Sequence, residues 1–201
     1  LPNNSCLLSF DDGFKDHTEF VLPELNKRKL KGCFFPPGAA IIENEILDVH
    51  SIHFILAKVK NKSTLVSILN SLCLENGYNE KDLKNYWNIH GKINRYDSRE
   101  VVYFKRMLQF VLPLDLRKKI TNFLFKKYLN ISTGEFAKKL YMNKDDLNKL
   151  LESEMYIGSH SYNHYWLNTL NYQNQKKDIE KSLNFLKEIG APIKNWIMCY
   201  P

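Results

Sequence analysis

The chain has 201 residues, of which 44% are hydrophobic and 13% aromatic, a globular composition that excludes a disordered or low-complexity segment. Its length allows one domain, or one domain with a large insertion, able to bury roughly 70% of the surface an unfolded chain would expose. The net charge of +7 comes from dispersed lysines such as Lys58, Lys60, Lys62, Lys118, Lys119, Lys126 and Lys127; it reads as a solvated basic face or as attraction for a membrane surface or phosphorylated carrier, and no motif beside it points to nucleic acid.

The first apolar run, residues 5–10, predicts a strand ending in the turn Asp11-Asp12-Gly13. A helix is expected from Asp16 or Thr18 to Lys29, with Val21, Leu22, Leu25 and Leu30 giving it an apolar stripe, Pro23 early, where a missing N–H is best tolerated, and Gly32 as its stop. Residues 33–35 predict a second strand, halted by Pro36-Pro37-Gly38. Strand, helix, strand in this order implies parallel strands joined by a helical crossover. Residues 43–144 carry helical patterns over 46–58, 64–75, 99–110 and 114–129 and no strand signal, so they read as a helical insertion. Beyond it, Asp145 or Asp146 is expected to cap a helix reaching Glu154. The run MYIGSHSYNH then predicts a strand ending in a polar turn, and residues 173–189 a helix with Ile179, Leu183, Leu186 and Ile189 on one face. Residues 196–200 predict a last strand.

Four cysteines occur and none forms a CxxC pair; Cys6, Cys33 and Cys199 lie in apolar runs that read as buried strands. Free core thiols suit a reducing compartment, so a cytoplasmic location is expected. No apolar run reaches the roughly 18 residues of a membrane span. Leu1 is not a start methionine, which suggests a trimmed or excerpted chain.

Two clusters carry chemistry. Asp11-Asp12 follows the first strand, and His160 and His164 follow the strand after the insertion. Strand C-terminal ends in a barrel or parallel sheet share one rim. One carboxylate and two imidazoles make a three-ligand set with open positions, suited to catalytic zinc or a related divalent ion. The four-residue spacing of the histidines suggests one face of a helical turn, with Ser161 holding a backbone N–H of that turn. Adjacent carboxylates permit a division of labour, because one can ligate an ion while its neighbour takes a proton from water that the ion has acidified toward about pKa 7. The same donor set also describes a non-haem iron oxygenase, which the carboxylate-first order disfavours. His50 and His53, at helical spacing, read as surface or partly buried histidines rather than a second site. Tyr156, Tyr162, Tyr165 and Trp166 bracket the second cluster, either as a sugar-stacking platform or as core. His17 and His90 suggest no role.

These motifs resemble those of the polysaccharide deacetylase family (the NodB-homology domain, carbohydrate esterase family 4). LSFDDGF is similar to its first motif, HSYNH to its second, and the terminal CYP to the start of its third. The resemblance spans residues 5–42 and 144–201. It implies Asp11 as catalytic base, Asp12, His160 and His164 as metal ligands, and the Tyr200-Pro201 segment beside the oxyanion. It also implies a distorted (β/α) barrel, of which this chain would hold the N-terminal portion as residues 1–42 and 145–201, interrupted by the insertion at 43–144. The implied reaction is removal of an N-acyl group, N-acetyl first, from an amino sugar or polysaccharide, including anionic or lipid-phosphate-linked sugars. The implied cofactor is one divalent ion, zinc first, with cobalt, nickel or manganese as alternatives. Relatives that cleave other C–N bonds keep hydrolysis outside sugars open. Cys199 stands where the third motif usually has arginine, which favours a competing reading as a silent metal-containing carbohydrate-binding module. The chain stops before the family's expected general acid and oxyanion N–H.

Overall fold

The computed structural model describes residues 3–201 and shows an α/β fold that is mostly helical, with a small parallel sheet. Its three strands are β1 (Ser9–Asp11), β2 (Cys33–Phe35) and β3 (Tyr156–Ile157), in the order β1-β2-β3. The register pairs Asp11 with Phe35, and Phe34 with both Phe10 and Ile157. The chain divides into two compact units, Leu1–Leu47 with Gly134–Pro201, and Asp48–Thr133.

The first unit holds the sheet. β1 begins at Ser9, whereas the apolar pattern predicts residues 5–10. The reason lies where β2 begins: in the parallel register Ser9 pairs with Cys33, and residues 29–32, which would face residues 5–8, form the turn out of the first helix, with Lys29 at φ +57°. Residues 5–8 therefore have no strand partner, and Leu7 is exposed. Phe34 in the central strand is wholly buried and stacks on Phe10 at 4.9 Å between ring centroids. The first helix starts as one π turn, His17–Val21, and continues as α1 (Leu22–Lys27), burying Leu22 and Leu25. The wider turn meets Pro23, which cannot donate to an α-helical ladder.

Pro36-Pro37 leads into a short helix, α2 (Gly38–Ile42), which the strand-stop reading had not included. In the second unit, α3 (Asp48–Lys58), α4 (Lys62–Glu75), α5 (Glu80–His90), α6 (Arg99–Arg106) and α7 (Leu114–Leu129) follow, with a π turn at Met107–Val111 extending α6. Their core includes Ile52, Ile55, Leu65, Leu69, Tyr103, Phe104, Leu108 and Leu124. α5 buries only Leu83, which is why its apolar periodicity is too weak to read in the sequence. Back in the first unit come α8 (Thr133–Leu140), also unforeseen, and α9 (Lys144–Glu152). The cap of α9 is Asn143, with Asp146 closing a capping box from the third helical position, rather than Asp145 or Asp146. Among the described residues no strand lies between β2 and β3.

α10 (Tyr172–Glu188) buries Asp178, Ser182, Phe185 and Leu186, while the expected Ile179 and Leu183 are only half-buried. The last strand is also shorter than the pattern predicts. Met198 alone forms a parallel bridge, with Ser159, supported by Ser159 N–H to Ile197 O at 3.0 Å and Cys199 N–H to Ser159 O at 2.9 Å. The described residues thus form a short parallel sheet, and a closed barrel is not shown. Of the cysteines, only Cys73 is fully buried; Cys6 is exposed and Cys199 half-buried, both outside the named strands, and Cys33 is half-buried at the start of β2, so the expected burial of these three is not found.

Gly158 sits where β3 gives way to the site. A Cβ there would lie 2.6 Å from both Ile197 O and Phe35 Cε1. Gly158→Ala is expected to destabilise the chain by about 1–3 kcal/mol, measured by urea unfolding; an unchanged midpoint would show that the two backbones do not need this close approach.

Candidate metal centre

Asp11 is the last residue of β1, and Asp12 follows at φ +70°, turning the chain away before Gly13 at φ +69°. A Cβ on Gly13 would meet Pro36 Cβ at 2.9 Å, so glycine is needed there for both reasons. The histidines leave β3 on a turn that is not helical: Ser161 and His164 are left-handed, at φ +60° and +58°. Within it, His164 N–H donates to Ser161 Oγ at 2.9 Å and Ser161 N–H to Ser159 Oγ at 3.2 Å.

These two turns bring three side chains together. His160 Nε2 lies 3.3 Å and His164 Nε2 3.1 Å from the same Asp12 Oδ1. The three candidate donor atoms all fall within 4.8 Å of one another, and among the described residues no other group of this kind occurs. His50 is buried and His53 exposed on α3, outside any such group.

The protonation pattern is constrained by the backbone. His160 Nδ1–H donates to the Cys199 carbonyl at 2.9 Å; a carbonyl only accepts, so Nδ1 carries the proton. In a neutral ring Nε2 would then turn a lone pair toward a carboxylate oxygen. A positive charge at Nε2, as a proton or a metal ion, removes that repulsion. Donors about 2.0–2.2 Å from a tetrahedral zinc lie roughly 3.3–3.6 Å apart, so the donor chemistry and spacing fit a divalent ion. In the metal-free chain burial alone would lower the His160 pKa, but its hydrogen bonds to Asp12 and the Cys199 carbonyl, with the Asp12 and Asp11 charges, raise it.

Asp11 Oδ1 is buried with no hydrogen-bond partner among the described residues. The Cys199 thiol lies beside the Asp11 carboxylate; burial first, then Asp11 and Asp12, push its pKa up. Tyr200 is largely exposed and Pro201 half-buried, continuing the segment whose Cys199 carbonyl meets His160. Of the aromatic group, Tyr162 is core and its hydroxyl donates to Glu43 Oε1 at 2.9 Å, while Tyr156 OH accepts from Ile197 N–H at 2.7 Å. Trp166 is 38% exposed.

Sequence reasoning missed several neighbours of the site. His17 packs against Phe10, Phe14 and Phe34 at 5.7–5.8 Å between ring centroids, and its Nδ1 has no partner among the described residues. Burial lowers its pKa, against the opposing pull of Asp12, Asp16 and Asp11. Tyr141 is buried, and its hydroxyl accepts from Leu47 N–H at 3.1 Å. Asp178 and Ser182 on α10 grip the histidine turn. Asp178 Oδ2 accepts from Tyr162 N–H at 2.9 Å and Oδ1 from Asn163 N–H at 3.1 Å, while Ser182 and Ser159 hydroxyls meet at 2.7 Å. A visible signal existed for this pair: two small polar residues one turn apart, in register with the apolar Phe185 and Leu186.

A histidine whose folded pKa is lowered gives stability that is complete above its unfolded value near 6.5 and is lost as pH falls toward the folded value. His17→Phe is therefore expected to shrink the loss of stability between pH 7.5 and 5.5, measured by urea midpoints in chelator. His160, with its raised pKa, contributes the opposite slope to both proteins and leaves the comparison intact. A variant that loses as much stability as the parent would show that His17 does not titrate in this window.

No curated protein and no solved structure matches the chain. The family model described as polysaccharide deacetylase matches residues 114–201, taking in α7 to α10, both histidines and Cys199, while Asp11 and Asp12 lie outside the matched stretch. Over that stretch the chain is similar to the polysaccharide deacetylase family, in agreement with the resemblance carried by the motifs.

Proposed function

We propose that the protein is a metal-dependent hydrolase that removes an N-acyl group, N-acetyl first, from an amino sugar or polysaccharide. The observation that carries this reading is the convergence of His160 Nε2 and His164 Nε2 on Asp12 Oδ1, with the His160 tautomer fixed by the Cys199 carbonyl. These three residues would hold one divalent ion, zinc first. When bound, that ion supplies Lewis acidity for the acyl carbonyl and lowers the pKa of water. Asp11, whose buried Oδ1 has no hydrogen-bond partner among the described residues, accepts the proton of the attacking water. Ser161 Oγ keeps His164 in place by accepting the His164 backbone N–H. The Tyr200-Pro201 segment, continuous with Cys199, is assigned to the oxyanion side on the family resemblance. Parallel strands with the candidate site at their C-terminal ends fit a portion of a (β/α) barrel.

The substrate reading extends to anionic or lipid-phosphate-linked sugars, since the unit Asp48–Thr133 holds 15 Lys and Arg against 7 Asp and Glu, and the remainder 14 against 15. Among the described residues no helix is long and apolar enough to cross a membrane. The four free cysteines suit the reducing conditions of the cytoplasm.

One observation favours a second reading. Beside Asp11 stands the thiol of Cys199, where the family resemblance has arginine, as expected of a silent metal-containing carbohydrate-binding module. Asp11→Asn discriminates the two. In the full-length protein, acetate release from an N-acetylglucosamine oligomer, with zinc or cobalt supplied, is expected to fall about 10²–10⁴-fold at near-normal metal content, whereas Asp12→Asn lowers metal affinity. Activity indifferent to Asp11→Asn would defeat the base assignment. Full-length protein that binds the oligomer and metal yet releases no acetate would be the silent module.

Cys199 touches His160 through its main-chain carbonyl and not its side chain. Cys199→Ala is therefore expected to keep zinc affinity within about threefold of the parent by competition titration. A loss of tenfold or more would show that the thiol itself takes part in metal binding.

A further inference from the structure

We infer that Asp178 is a positioning residue for the metal centre: its carboxylate clamps the turn between His160 and His164 so that both imidazoles meet Asp12. The inference rests on the metal reading above. Asp178 is 3% exposed, and its carboxylate serves the histidine turn. Oδ2 accepts from Tyr162 N–H at 2.9 Å; Oδ1 accepts from Asn163 N–H at 3.1 Å and from Asn163 Nδ2–H at 2.7 Å. The clamped residues, 162 and 163, lie between the two histidines in sequence.

The turn needs such a clamp. Ser161 and His164 occupy the left-handed region that residues with a Cβ rarely adopt, so local preference works against this path. Two consecutive backbone N–H groups point at one place, and a carboxylate presents two equivalent acceptor oxygens there. Asparagine has nearly the same shape but only one acceptor, and would set its NH2 against a backbone N–H. A second contact works on the same turn. Ser182, one turn along α10, meets Ser159 Oγ, which in turn accepts from Ser161 N–H. α10 therefore reaches the turn on both sides of Ser161, and its polar face fits this role better than general packing, which Phe185 and Leu186 already supply.

Supporting partners of metal ligands commonly govern affinity by about 10–100-fold. The test uses the full chain, zinc by competition titration and the visible absorption of the cobalt form, with urea unfolding of the metal-free protein alongside. Asp178→Asn is expected to weaken zinc binding about 10- to 100-fold and to alter the cobalt spectrum, which reports ligand geometry. Leu186→Ala, in the same helix and wholly buried, is expected to lower metal-free stability while leaving zinc affinity within about threefold and the cobalt spectrum unchanged. Should Asp178→Asn fail to fold, Ser182→Ala carries the test, with a smaller affinity loss and the same spectral change expected. Zinc affinity and spectrum unchanged in Asp178→Asn, or in Ser182→Ala where that variant stands in, would overturn the inference. So would a Leu186→Ala variant equally impaired in zinc binding. Parent protein that binds neither zinc nor cobalt would instead overturn the metal reading itself.

Discussion

An imidazole nitrogen directed at a carboxylate oxygen, while the ring proton is held on the opposite nitrogen by a carbonyl, is an arrangement that electrostatics tolerates only around positive charge. At 3.1 and 3.3 Å from Asp12 Oδ1, His164 and His160 Nε2 are too near for lone pairs to face each other without cost. The Cys199 carbonyl closes one escape by keeping the proton on His160 Nδ1. Much of the surrounding structure can be understood as holding this geometry. β1 and β3 lie on either side of β2 and deliver aspartate and histidines from strand ends that point the same way. The shortness of β2, imposed by Pro36, places the turns immediately at the sheet edge.

The proposed chemistry divides between neighbours on the chain. Asp12 turns into a left-handed conformation and joins the histidines, while Asp11 remains the last ladder residue, with a buried oxygen that has no hydrogen-bond partner among the described residues. Cys199 is likewise divided: its main chain meets His160 and its thiol lies beside Asp11. A side chain can therefore change at that position while the contact that orients the imidazole is kept. This is a physical route by which metal binding and proton handling diverge.

Residues whose chemistry is local were legible in the sequence. The two motifs, the limits of α7 and the three residues of β2 could be read because periodicity, proline and glycine act within a few positions. What escaped depended on partners far along the chain. The length of β1 is decided by β2, not by its own apolar run. α5 has one buried side chain and so almost no stripe. Asp178 and Ser182 looked like ordinary polar positions of an amphipathic helix, because their partners at residues 159–163 are brought to them only by folding. The cap of α9 was misread by a few residues because Asn143, Asp145 and Asp146 are all competent caps, and only the reciprocal bond between Asn143 and Asp146 decides.

The placement of α10 after the histidine turn also bears on how the protein is made. A ribosome synthesises residues 160–164 before it reaches Asp178, Ser182 and Cys199. A nascent chain ending near residue 170 thus carries Asp12, His160 and His164 but none of the hydrogen bonds from α10 and the Cys199 carbonyl that orient them. Synthesis runs from the N-terminus, so on the proposed metal reading the order of translation itself delays metal capture until the sheet and α10 have closed around the turn.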